Sequence, residues 1–424
     1  MKKTAGRLAL AAAAGMMSTS AFAADIGGSC CSDLEERIAE LEATAARKGN
    51  RIMSLTISGQ VGVNFVYHNA DNFDAYREGQ ISIDQDEGEY TNALTFSGDA
   101  KLSSDITIGY KMDFDVNTDS GMAATTDDQF VFVRSARLGA VQMGRIDAAS
   151  DGIHATSIGT VIGQMSATET GGFATGRSGV TLTNGTGTGG TGYLLPTNFD
   201  GRDAEPGIKY ISPTFGGFTF LAAYQHDKLF TDETEDRWSV ALRYANEFNG
   251  VRFAWAIGYE QGEESDLDLG GNFNQPTDDE NEFAEFVTAV AFMHVPTGLF
   301  ANFAYGFATS EVTQDDGTVD SDTRDSGFTV VLGIERKWNA LGATSLYAKY
   351  QHRDFEDELD SNNDLDSDNF GFGIVQDIDA AAAQVYLKWD RYECADPRTG
   401  ASAAGNPNCS DDADVISSGM IVKF

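Results

Sequence analysis

The charged side chains of this chain recur at alternate positions, and that spacing limits the chemistry they can do. Lys101, Lys111, Arg243, Arg252, Lys349, Arg353 and Lys388 each fall on the polar parity of an alternating segment. Asp99, Asp113, Asp115, Glu260, Glu335 and Asp390 do the same. Alternate residues of a strand face one side, so these groups should line a surface rather than converge on a point. Charges of both signs on such a surface can select ions and orient dipolar solutes. Bond-making chemistry lacks its parts. The histidines, His68, His154, His226, His294 and His352, are scattered, and neither G-x-S-x-G nor HExxH occurs. No enzyme is expected.

The elements that carry these charges read as strands. In Asp105–Val116, Ile106, Ile108, Tyr110, Met112, Phe114 and Val116 share one face, while Lys111, Asp113 and Asp115 share the other. In Val251–Glu260, Val251, Phe253, Trp255, Ile257 and Tyr259 oppose Arg252, Ala254, Ala256, Gly258 and Glu260. From Arg51 to Phe424 the pattern repeats through sixteen segments, the even number that bacterial barrels need. Short turns and long acidic loops alternate between them, which a two-sheet sandwich has no reason to do. The expectation for 51–424 is an all-β, 16-stranded antiparallel transmembrane barrel. Leu55, Ile57, Phe253, Trp255 and Phe303 should face lipid, and the polar set should face water in the lumen. Tyr67, Trp238, Tyr244, Trp338, Trp389 and Tyr392 can form interfacial girdles.

The ends of the chain fix the compartment. Residues 1–23 have a basic start, an apolar run and Ala21-Phe22-Ala23, which read as a secretory signal peptide. Residues 24–50 form a periplasmic segment. Within it Leu34, Ile38, Leu41 and Ala45 make a heptad seam that predicts a short coiled-coil-like helix over Asp33–Lys48. The last strand, Asp414–Phe424, ends on an aromatic carboxylate, the kind of terminus read by the outer-membrane barrel-insertion machinery. The formal net charge is −36, against any nucleic-acid partner. These features place the chain in the outer membrane of a Gram-negative bacterium, among outer-membrane lipid and lipopolysaccharide.

The segment DLEERIAELEATAARKGNR feeding LTISGQVGVNF, the run RLGAVQMGRIDAASDG and the terminal IVKF resemble the trimeric general porins of alphaproteobacteria. The resemblance covers nearly the whole chain after the leader. It implies a water-filled channel for passive diffusion of small hydrophilic solutes and ions, homotrimeric assembly, and a third loop folded inward against a basic wall. The long stretch 148–205 stands where that constriction loop would be, with Asp151, Glu169, Asp200, Asp203 and Glu205 giving it acidic character. Acids on both loop and wall favour cation preference. A substrate-specific channel for a sugar or another nutrient is the alternative, and an added envelope-anchoring role can coexist with either. Relatives joined to peptidoglycan through an N-terminal Ala-Asp make Ala24-Asp25 a candidate for that linkage.

The acidic stretch Asp354–Asp368, with Asp357, Asp360, Asp364 and Asp366, reads as an external loop able to take Ca²⁺ or Mg²⁺ and bridge to lipopolysaccharide phosphates. It lacks the spacing of an EF-hand, and no other cofactor is expected. Gly262–Asn281 and Thr313–Asp325 read as further acidic loops. Cys394 and Cys409 bracket the last external loop and suit a disulfide in the oxidising envelope. Cys30 and Cys31 precede the heptads and could clamp chains together.

Overall fold

A computed structural model describes residues 53–70, 80–84, 92–117, 123–161, 199, 204–227, 234–267, 278–313, 319–359, 365–395 and 413–424. The leader, the expected helix Asp33–Lys48, Ala24-Asp25, Cys30, Cys31, Glu169, Asp200, Asp203, Asp360, Asp364 and Cys409 lie outside these residues.

Seventeen strand segments form one closed antiparallel sheet. They are β1 (Thr56–Ala70), β2 (Gln80–Asp84), β3 (Ala93–Lys101), β4 (Ile106–Asn117), β5 (Ala123–Ser135), β6 (Gly139–Ile146), β7 (Glu205–Ile211), β8 (Phe218–Asp227) and β9 (Thr234–Phe248). They continue as β10 (Val251–Leu267), β11 (Asp278–His294), β12 (Leu299–Thr313), β13 (Val319–Arg336), β14 (Thr344–Asp357), β15 (Leu365–Ile378), β16 (Ala383–Ala395) and β17 (Ala413–Lys423). The outer half of β1, Asn64–His68, pairs with β2, and its inner half, Thr56–Gln60, pairs with β3. β2 and β3 therefore share one place in the wall, and the barrel is 16-stranded.

The other edge of β1 pairs with β17 and closes the ring. Phe424 completes that seam. Its N–H donates to the Gly59 carbonyl at 3.0 Å and its own carbonyl accepts from Gly59 at 2.9 Å. Closure removes every free strand edge, which a lipid environment demands. At one end the connections are tight. Asn249 and Gly250 both adopt positive φ, 51° and 79°, as a two-residue hairpin requires.

Side-chain parity divides the wall. Leu55, Ile57, Phe303, Leu332 and Phe372 are exposed on the outer face, while Ala256, Ala289, Asn302, Ala304 and Val331 on the opposite parity are buried inside. Phe253 and Trp255 alternate with the buried Ala254 and Ala256 and so also face out. Aromatic rings form an outer ladder from Phe303 through Phe328 and Tyr350 to Phe370. Tyr392 departs from the expected girdle: it lies on the inward parity and is buried.

Several strands outrun the sequence-based expectation. Half of Gly262–Asn281, and most of Thr313–Asp325 and Asp354–Asp368, is strand rather than loop. Backbone pairing continues above the apolar belt because it needs only alternation and a partner, not hydrophobic side chains. Asp357 consequently ends β14, and Asp366 lies in β15 opposite Asp354. Among the described residues no cluster of His, Cys, Asp or Glu has the arrangement of a metal site.

Candidate functional site: the inner wall and its loop

The inward face of β9–β13 is unusually small in its side chains. Gly258, Ala241 and Ala256 stand beside Ala289, Ala304, Gly306 and Gly327 on successive strands. This tract forms a bed for the segment that follows β6. Ile153 and Phe199 are 0% and 1% exposed and pack against Ala223, Ala241, Ala256, Ala289 and Ala304. Since these alanines lie on the inward parity, the segment 147–161 lies inside the barrel.

Hydrogen bonds from successive strands hold it there. Lys209 Nζ on β7 donates to the Asp147 carbonyl at 2.7 Å, and Gln225 Nε2 on β8 donates to the Ile146 carbonyl at 2.7 Å. On β9, Ser239 Oγ accepts from Ala149 N at 2.7 Å, and Arg243 Nη2 donates to the Asp151 carbonyl at 2.6 Å. Glu260 on β10 accepts from Ser150 Oγ at 2.7 Å. Asn302 on β12 accepts from Ile158 N at 3.1 Å. Glu335 on β13 accepts from both Thr160 N and Thr160 Oγ1, at 2.7 and 3.0 Å. The segment thus crosses the inner wall from β7 to β13. It also descends towards the tight turns, because Glu335 lies one residue from the end of β13.

The lumen charges are organised in pairs. Lys111 Nζ lies 2.7 Å from Asp128 and 3.1 Å from Asp113. Arg353 makes a bidentate contact with Asp325, from Nε at 2.9 Å and Nη2 at 2.6 Å. Asp390 lies 3.1 Å from Lys349 and 3.7 Å from Lys388. Arg237 sits 3.7 Å from Glu260 and over the Phe283 ring at 3.9 Å. Burial, with Asp128 beside it, pushes the Asp147 carboxyl up to about 7, although Lys209 favours its ionised form.

The sequence-derived candidates are distributed as follows. Lys111, Arg243, Lys349, Arg353 and Lys388 share the inward parity, as do Asp113 and Asp115. Lys101 ends β3 and is exposed. Arg252 begins β10 and pairs with Glu247 at 3.2 Å. Asp151 lies in the inward segment, and Glu205 opens β7. Cys394 is in β16. Lys209, Ser239, Gln225 and Asn302 were missed. A lone lysine between Ile208 and Tyr210, and single polar residues among small ones on β8, β9 and β12, were the available signals.

The family profile described as Gram-negative porin matches residues 9–393. The chain belongs to the Gram-negative porin family. The protein is therefore an outer-membrane β-barrel, and its inner wall is that of an outer-membrane channel. A comparison with curated protein sequences gives no match. Among solved structures, the loop L8 deletion mutant of OmpT from Vibrio cholerae is 14% identical, with a TM-score of 0.55, covering 88% of this porin and 100% of that chain. The anion-selective porin from Comamonas acidovorans gives the same identity, TM-score and coverage. The outer membrane channel DcaP of Acinetobacter baumannii is 10% identical with a TM-score of 0.54, covering 90% and 100%. At these identities the likeness is one of fold.

Proposed function

We propose that this porin is a passive diffusion channel for small hydrophilic solutes and ions, with a preference for cations. The observation that carries the preference is the pairing of the wall cations. Lys111, Arg353, Lys349 and Lys388 each lie against a lumen carboxylate, so these four cations add little uncompensated positive charge. The acidic excess of the chain, −36, then dominates the field felt by a permeating ion. In this reading Asp115, Asp151 and Glu205, with Glu169, Asp200 and Asp203, contribute the acidic side of the constriction, while Asp113 is offset by Lys111. Lys101 and Arg243 add local positive charge to the wall, while Arg252 is offset by Glu247. Planar-bilayer recordings of the purified protein test it: stepwise conductance supports a channel, and a silent, correctly folded protein refutes one.

The finer assignment to the trimeric general porins of alphaproteobacteria belongs to the same proposal. One solved relative in fold, OmpT of Vibrio cholerae, is described in a trimer form. A homotrimer here predicts a single trimeric mass in detergent by mass photometry, and monomers alone would count against it. The Cys394–Cys409 disulfide predicts a peptide pair linked only without reductant. Ca²⁺ or Mg²⁺ at Asp357, Asp360, Asp364 and Asp366 predicts a fall in lipopolysaccharide retention on chelation. Recognition of Phe424 by the insertion machinery predicts poor assembly when that residue is deleted. A muropeptide on Ala24 of protein released from sacculi would establish the peptidoglycan link.

A further inference from the structure

We infer that Phe199 is the positioning residue that latches the chain, after the inward segment 147–161, to the same patch of wall, and so sets the width of the channel. The inference rests on the diffusion-channel reading for its effect on current, but the latch itself rests on geometry. Phe199 is a non-glycine residue at φ 46°, in the left-handed region where a β-carbon is strained. Such a conformation persists only where the surroundings over-determine it. Here they do so, because the ring is 1% exposed and lies against Gly306 on β12 and Gly327 on β13. These two glycines are direct cross-strand partners.

Glycine inside a strand weakens it and marks a close approach by something else. Two opposed glycines on the inward face of long strands make a socket the width of one ring. A β-carbon on Gly306 would overlap the Phe199 ring, and one on Gly327 would lie 3.3 Å from it. The inward segment uses the same device. Ile153 Cδ1 lies 2.7 Å from where a β-carbon on Gly258 would stand. Ile153 and Phe199 belong to one apolar cluster, so the inward segment and position 199 are fastened to a common patch of wall. The polar contacts described above lie along 147–161, and Phe199 supports that segment through the cluster it shares with Ile153.

Two substitutions test this from opposite sides. Phe199→Ala empties the socket, and Gly306→Ala fills it while leaving the ring in the chain. Phe303→Ala, which removes a ring from the outer face of β12, is the control. Barrel integrity is read from heat-modifiable migration. Hydrogen exchange of the Ala149, Ile158 and Thr160 amides reports loop attachment without any current. Exchange should accelerate by roughly 100- to 1,000-fold in Phe199→Ala, the lower part of the range for truncating a buried phenylalanine, and should be unchanged in the control. Single-channel conductance should rise and lose its uniform level in both socket variants. Should Phe199→Ala fail to fold, Gly306→Ala carries both readouts. Unchanged exchange in folded variants overturns the latch. Faster exchange with unchanged conductance overturns its role in setting channel width. A native protein that passes no current refutes the diffusion reading, and the exchange result still decides the latch.

Discussion

Replacing Glu260 should detach the inward loop more severely than any other single wall substitution. Its carboxylate is 1% exposed and joins two groups. Ser150 Oγ donates to Oε2 at 2.7 Å, a bond to a charged acceptor worth about 1.5–3 kcal/mol. Arg237 lies 3.7 Å from Oε1 with a nearly buried side chain. Removing one partner of a buried ion pair costs about 3–5 kcal/mol, because the other charge is left without its counterpart. The two effects share one carboxylate and do not add. Glu260→Ala should therefore cost about 3–5 kcal/mol, because Arg237 loses the Glu260 carboxylate beside it. Glu260→Gln retains an acceptor for Ser150 and the shape of the site but takes the same charge from Arg237, so it should recover only about 1 kcal/mol relative to the alanine variant. Urea unfolding from lipid vesicles, followed by tryptophan fluorescence, measures both. A loss below about 1 kcal/mol for the alanine variant would refute the reasoning. So would a glutamine variant as weak as the alanine one.

Other consequences follow from the same geometry. Phe303→Arg places a cation on the lipid face and should destabilise the barrel by about 2–4 kcal/mol in vesicle unfolding; no loss would mean the assigned parity is inverted. Tyr350 donates to Asp368 at 2.6 Å, so Tyr350→Phe should cost about 1 kcal/mol in the same assay. Tyr224→Phe, at the more exposed Asp236, should cost less. Asp147 holds its proton up to about pH 7, so cation preference should increase as pH rises through that value and fall below it. Asp147→Asn should flatten the profile, and a profile unchanged by that substitution would remove Asp147 from the permeation path.

Much of the barrel was legible because its side chains obey a period of two. The opposing sets in β4 and β10 assign both faces without further help, and the tight Asn249-Gly250 hairpin marks its own turn. The split second place in the wall was not legible. Gln80–Asp84 is too short, and too polar in its surroundings, to stand out until the extended β1 supplies its partner. The tall outer ends of β10, β11 and β13–β15 were hidden by their acids. Those residues look like loop by composition, although the ladders continue through them. The site was half visible. Charged inward residues such as Lys111 and Arg353 announce themselves by parity. The glycines and alanines of β9–β13 were expected to face water, yet they are a bed for Ile153 and Phe199. Small residues on an inward face look the same in sequence whether solvent or chain covers them, because the contact joins residues distant along the chain.

The reversal potential across a planar bilayer in a KCl gradient tests the central claim most directly. With the wall cations paired and the chain strongly acidic, the potential should have the sign of potassium selectivity in dilute salt. It should shrink towards zero as salt rises and the Debye length falls to about 3 Å near 1 M. A potential of the opposite sign in dilute KCl would contradict the account.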